Sequence, residues 1–241
     1  MGRSKDIATS AKGDADYVNV AGDTMTGGLN VNGGNLTHNS TSEAAHRYFI
    51  LNTGATTDGH ILFQRGGSNK FQTSADANGH LFTWNYAKNG TSFRINTDGS
   101  VITPHQPSFH AYMSQSNPTI TSGNAKIPYS ATLWNVGSHF DTTNSKFVAP
   151  IAGKYCFQVN HNVYGLSDDQ WFRTRVYVNG SSYQILGYMR ARGGGDHTTN
   201  DSFLLNMSAN DYVEIYTNSP DTNYHLSASI GWNSFSGFLI G

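Results

Sequence analysis

The chain has 241 residues, 15 Lys and Arg against 16 Asp and Glu, and only 13% charged side chains, so it lacks the clustered basic surface that nucleic acid requires. It contains no run of eighteen apolar residues and no apolar stretch near its N-terminus, which excludes a membrane-spanning helix and leads us to expect neither a signal peptide nor membrane insertion. A single cysteine, Cys156, excludes an intrachain disulfide, and the abundance of Gly, Asn, Ser and Thr with 12% aromatics suits short strands joined by tight turns.

Residues 1–36 carry few large apolar groups, and a segment so short and polar cannot bury a core of its own. Copies of the chain or another protein must order it if anything does. Within it DYVNVAGDTMTGGLNV, Asp16 to Val31, resembles the repeat found near the shafts and attachment regions of bacteriophage tail fibres, with GDTMTG as its most specific string.

From residue 37 to 103 the pattern is a β-meander, with RYFILN, HILFQR, KFQTSA, HLFTWNY and SFRINT as strands. Asp58-Gly59, Asn78-Gly79, Asn89-Gly90 and Asp98-Gly99 supply the positive φ angles of two-residue hairpin turns. TSFRINTDGSV, Thr91 to Val101, also resembles phage fibre segments, so this part reads as a small shaft module. Pro104 and Pro107 bracket a short stiff linker, PHQP, at which the last domain, 104–241, begins.

That domain reads as eight or more strands without helical period, an antiparallel sandwich. KFVAPIAGKYCFQVNHNV, Lys146 to Val163, organises it: Phe157, Val159, His161 and Val163 share one face of a strand, and Cys156, Gln158, Asn160 and Asn162 share the other. Pro150 and Gly153 make the turn before it. The spacing of Asn135, Phe140, Phe147, Gly153, Tyr155 and Phe157, with Gly237 in the closing run SFSGFLIG, resembles the signature of the complement component one-q globular head, a jelly roll of the tumour-necrosis-factor superfamily. Tyr129 and Val159 depart from it, where Phe and another aromatic are expected. The resemblance implies a sandwich closed around a three-fold axis, so the expected fold is all-β and trimeric: an extended N-terminal segment, a β-rich shaft module and a jelly-roll head. It also implies that Phe147, Tyr155, Phe157, Phe235 and Leu239 belong to the core or to the interface between copies.

Chemistry is sparse. The ten histidines form no metal-ligand spacing, and Cys156 has no partner constellation, so no metal or cofactor is expected. Asp168, Asp169 and Asp221 read as loop acids in preference to calcium ligands. Neither a nucleophile elbow, a phosphate-binding glycine loop nor paired carboxylates is present, which points away from an enzyme. The remaining feature is GYMRARGGGDHTTN, Gly187 to Asn200, which reads equally as a polar binding loop or as a floppy hairpin end.

Taken together, the two resemblances imply a homotrimeric phage tail fibre. Residues 1–36 would join it to other tail or capsid proteins, and its head would bind a host surface glycan, most naturally polysaccharide, or a protein receptor. The virion would be its location, after assembly in the host cytoplasm; a capsid decoration fibre and a bacterial surface lectin are the rival readings. Since the family's termini meet at the base, alternation of strand direction sends Gly165–Gln170, Arg192–Asn200 and Asn218–Asn233 to the far end, and Asn179–Ser182 and Ser208–Asn210 to the near one. The candidate receptor contacts are therefore Tyr188, Arg190, Arg192, His197, Asp221, Tyr224 and Trp232, with trimer packing as the alternative role for Trp232 and Tyr188.

Overall fold

A computed structural model describes residues 59–114, 119–120, 123–193, 195–221, 224–228 and 230–241. Residues 1–36, expected to serve attachment, the expected strand RYFILN and Asp58 lie outside the described residues.

Residues 59–102 form a single antiparallel sheet in sequence order: β1 (Gly59–Arg65), β2 (Ser68–Ala75), β3 (Leu81–Asn85), β4 (Gly90–Ile95) and β5 (Val101–Ile102). Its first hairpin turns on Gly66 and Gly67, at φ +59° and +72°, a pair the sequence reading passed over because it lacks Asn or Asp. The register puts Phe63 opposite Phe71 and Leu81 opposite Ile95, so one face of the sheet is apolar. That face is uncovered: Ile61, Phe63, Phe71, Leu81, Phe93 and Val101 are all exposed. PHQP is not an extended rod. Gln106 N–H bonds to Thr103 O at 3.0 Å, the Thr103 hydroxyl bonds to Gln106 Oε1 at 2.6 Å, and Gln106 Nε2 reaches the Leu239 carbonyl, which closes the segment into a turn against the last strand.

The head follows as β6 (Ser108–Tyr112), β7 (Thr119–Ile120), β8 (Gly123–Lys126), β9 (Ala131–Val136), β10 (Phe140–Asp141), β11 (Lys146–Val148), β12 (Gly153–Tyr164), β13 (Trp171–Val178), β14 (Ser181–Arg190), β15 (His197–Met207), β16 (Tyr212–Ser219), β17 (Tyr224–Leu226) and β18 (Ser234–Leu239). One sheet runs β10-β11-β16-β13-β14, with β8 also on β16. The other runs β7-β17-β12-β18-β6-β9, with β15 on the free edge of β12. Every pairing is antiparallel, giving the jelly-roll sandwich.

Between the sheets lies an aromatic core. Phe109 stacks on Phe140 and Phe147 at 4.9 Å and meets Phe235 edge-on at 5.0 Å, while Phe157 stacks on Phe203 at 5.1 Å. Phe147, Tyr155, Phe157 and Phe235 are buried, and Leu239 is partly buried against them. The signature residues each have a local task. Asn135 clamps its own turn by accepting the Phe140 N–H at 3.0 Å and donating to the Phe140 carbonyl at 2.9 Å. The Tyr155 hydroxyl ties the preceding turn through the Ile151 carbonyl at 2.9 Å. Gly237 is needed for space: a Cβ there would sit 2.5 Å from the Phe157 ring and 2.9 Å from the Phe109 ring.

His161 faces inward as its position on β12 demands and is fully buried between two hydroxyls, Tyr129 at 2.7 Å and Thr174 at 2.8 Å. Tyr129, the departure from the signature, thus gives the buried imidazole a hydrogen-bond partner that Phe would not. Burial holds the His161 pKa down at about 3, because no carboxylate compensates a charge there.

Two outcomes follow from this core. Gly237→Ala forces the added methyl into two aromatic rings, and we expect a loss of about 1–3 kcal/mol in urea unfolding, whereas unchanged stability would contradict the packing. Acid weakens the fold through His161. Its folded pKa is depressed below the ordinary 6.5 of the unfolded chain, so the unfolded state takes up a proton that the folded state refuses. Stability is complete above pH 6.5 and falls by up to about 1.4 kcal/mol per pH unit as pH drops toward 3. Burial lowers His110 and His139 too, with the same sign. Urea midpoints at pH 7 and pH 5 measure this, and equal midpoints would refute it.

Candidate functional site

The hydrogen bonds at the chain's entry fix the polarity of the head. Leu239 N–H bonds to Pro107 O at 3.0 Å and Lys154 N–H to Gly241 O at 2.7 Å, so β12 begins where the chain enters and leaves the sandwich. Antiparallel pairing then carries the ends of β12, β14 and β16 to the opposite end. The loop after β13 stays near the entry, where Asn179 Nδ2 bonds to Asp211 at 2.8 Å.

At the remote end three loops brace one another. Asp168 Oδ1 accepts the Gly193 N–H at 2.8 Å, Asp221 Oδ2 accepts the Ser167 N–H at 2.6 Å, and Arg190 meets Asp169 at 2.9 Å. The three acids are therefore engaged in loop contacts. Arg192 and Trp232 are exposed on these loops, as is Tyr188 on the last turn of β14 before them. His197 is half-buried at the start of β15, and its Nε2 has no hydrogen-bond partner.

Two of the predicted contacts are corrected. Tyr224 has no exposed surface: its hydroxyl bonds to Thr217 at 2.9 Å and its ring meets Phe172 edge-on. Burial pushes its pKa up to about 12. Asp221 is buried as well. The reason is that the stretch from Asn218 to Asn233 is not all loop, since Tyr224-His225-Leu226 alternates inward, outward and inward as β17, pairing with the end of β12. The same stretch covers Asn162, which was assigned to the non-core face of β12 and is buried there. Its amide and carbonyls bond to Thr198, Ser227 and Asn233.

The sequence reading missed the outer face of β13. In WFRTRVYV the even positions Phe172, Thr174 and Val176 are core, which leaves Trp171, Arg173, Arg175 and Tyr177 in a line outside. The Arg173 guanidinium lies 3.9 Å over the Trp171 ring and 6.0 Å from that of Tyr188, and the two rings stack at 6.2 Å. Arg175 lies 5.8 Å from the Tyr177 ring, which packs on Tyr216 at 4.1 Å. The alternation of a strand carrying two outward arginines between aromatics was the available signal. On the second sheet, the outward face around His110, Trp134, Gln158, Ser202, Ser236 and Phe238 encloses a shallow depression of about 540 Å³. Cys156 is half-buried on the same sheet as a free thiol.

Among the described residues no group of three His, Cys, Asp or Glu stands ready for a metal ion, and no helix is long and apolar enough to cross a membrane. What the surface offers is stacking, hydrogen bonding and positive charge.

Three curated proteins share part of the chain. It is 30% identical over 104 residues to the phage-like element PBSX protein XkdV of Bacillus subtilis, covering 40% of this chain and 15% of that protein. It is 30% identical over 98 residues to an uncharacterized protein, YqcC, of the same bacterium, covering 38% of this chain and 26% of the other. Mouse collagen alpha-1(X) chain is 26% identical over 132 residues, which is 55% of this chain and 18% of that one. The chain thus spans about a quarter or less of the length of these relatives. Among solved structures, the globular domain of zebrafish complement 1qA protein is 14% identical over 56% of this chain and 98% of its own, with a TM-score of 0.43. A tumour-necrosis-factor protein of S. frugiperda, Eiger, is 10% identical over 56% and 93%, with a TM-score of 0.46. Residues 108–240, more than half of the sequence, match the C1q domain, and the chain belongs to that family.

Proposed function

We propose that the chain is a structural fibre of a phage virion, a homotrimer whose C1q head binds a polysaccharide on the host surface. The observation that carries the assembly is the uncovered apolar face of the shaft sheet. A single-layer sheet with Phe63, Phe71 and Phe93 in water has no core of its own. Identical copies packed around an axis supply the missing layer, and the same packing accounts for exposed Leu204 and Phe238 on the head. The phage origin is supported by GDTMTG and by the likeness to the protein of the phage-like element. In this reading residues 1–36 attach the fibre to the particle, 37–103 form the shaft, and 104–241 form the head. The fibre assembles in the host cytoplasm and acts from the virion.

Receptor contact is assigned to the end of the head remote from the chain's entry, through Tyr188, Arg190, Arg192, His197 and Trp232. Three copies of a weak site on one rigid fibre gain strength from effective concentration, as repetitive polysaccharide allows.

Sedimentation of the full chain should give three times the 26.2 kDa protomer, and a stable monomer at micromolar concentration overturns the assembly. Phe63→Ser with Phe93→Ser should shift the trimer toward monomer. For the receptor end, Arg192→Ala with His197→Ala should reduce adsorption of virions at least severalfold while Ser181→Ala, in the near-end turn Asn179–Ser182, does not. The reverse pattern refutes the assignment.

A further inference from the structure

We infer that the Trp171–Arg173–Tyr188 cluster, continued by Arg175 and Tyr177, is the subsite that selects the receptor's chemistry, and that it takes an anionic saccharide. The inference rests on the reading of the chain as a receptor-binding fibre. Its ground is a charge without a partner. Arg173 is half-buried, its Nε is sheltered from solvent with no hydrogen-bond partner, and no carboxylate pairs with it among the described residues. Glu214, opposite Tyr177 in the register of β13 with β16, is committed to Lys126 at 2.8 Å, and Asp169 to Arg190 at 2.9 Å. Arg175 has only neutral partners, Asn124 at 3.1 Å and Ser182 at 2.9 Å, and its Nε is likewise unpaired.

A partly desolvated guanidinium held 3.9 Å over an indole ring is costly to maintain and already ordered for a planar or tetrahedral anion. It loses little side-chain freedom when a carboxylate or phosphodiester docks, so the contact is charge-assisted and pre-organised. Tyr188, 55% exposed, and Trp171 offer ring faces beside that charge, against which the C–H face of a sugar ring packs. The line from Trp171 to Tyr177 is about 20 Å long. That length suits a chain of several sugars whose acidic groups repeat. Nucleic acid is a poorer match, because two arginines on a chain of formal charge −1 make no phosphate track.

The test uses the purified full chain, titrated calorimetrically with hexagalacturonate for carboxylate, a phosphodiester-linked hexose oligomer for phosphodiester, and maltohexaose as the neutral control. Binding of at least one anionic probe, weakening with added salt and at least tenfold tighter than maltohexaose, is expected. Which of the two binds identifies the anion's source. Arg173→Gln should weaken that binding roughly ten- to a hundredfold at unchanged melting temperature, and Arg173→Lys should recover only part, since it keeps the charge but loses the flat fork. Trp171→Phe serves as the second variant should Arg173→Gln alter folding, and it should weaken binding too. Equal affinity for the neutral probe, or variants that bind like the unaltered chain, overturns the inference. Competition of the purified chain with virion adsorption separates this from the fibre reading. A chain that blocks adsorption yet binds no anionic probe sinks only the anionic subsite, and one that binds the probes but leaves adsorption untouched sinks the receptor role.

Discussion

The head depends on one close approach, the Phe157 and Phe109 rings over the bare backbone of Gly237. β12 and β18 are register partners at Phe157 and Gly237, and β18 and β6 at Gly237 and Phe109, so three adjacent strands meet where no side chain intervenes. The rings can lie across the middle strand only because that position has no Cβ. Phe235, two residues earlier on the same face, then fills the space beside them, and Phe140 and Phe147 from the opposite sheet close onto Phe109. Each further element is placed relative to this knot. Asn135 sets the turn that delivers Phe140, and Gly153 admits the chain's end beside β12, where a Cβ would meet Leu239 at 2.7 Å.

This is why the core was readable before any coordinates. Period-two alternation on Tyr155, Phe157, Val159, His161 and Val163 follows from strand geometry alone, and residues with a packing or clamping task keep fixed spacing. The remote end was less legible for an equally physical reason. Loop and short strand differ there by three residues: Tyr224-His225-Leu226 looks like loop among Asn, Asp and Ser, and only pairing with the tail of β12 makes it a strand. That pairing buries Tyr224 and Asn162 together, a tertiary effect with no local signature. The outward arginines of β13 were visible as letters, but their meaning depends on what β14 and β16 set beside them. Arg173 lies over Trp171, two residues back on its own strand, and register sets Tyr188 beside the pair.

The molecule divides its polar groups by depth. Deep in the core the partners are neutral: His161 lies between Tyr129 and Thr174, and Tyr224 meets Thr217. Neutral hydrogen bonds are the economical solution in a dry core, because an ion pair there must recover the desolvation of both charges. At the rim, carboxylates take over and fasten loops to one another, as Asp168 and Asp211 do. Loops braced in this way present their exposed side chains from a fixed frame, and a weak polar ligand is bound at lower entropic cost by groups already held in place.

Two features stand outside that economy, and they are of opposite chemical kind. The sheet of residues 59–102 leaves an apolar face in water, and the head holds a guanidinium on a ring with no carboxylate paired to it among the described residues. A protein in isolation gains nothing from either, since the first forfeits apolar burial and the second keeps a sheltered charge uncompensated. Each is relieved by a specific kind of contact: more apolar surface in one case, negative charge beside a polar ring-shaped body in the other. The apolar face extends across the sheet from β1 to β5, which suits another copy of the same surface. The guanidinium is a single point set between rings, which suits a ligand that comes and goes. On the proposed reading, assembly and recognition rest on different parts of the chain and on different forces, so that a change to one can leave the other intact.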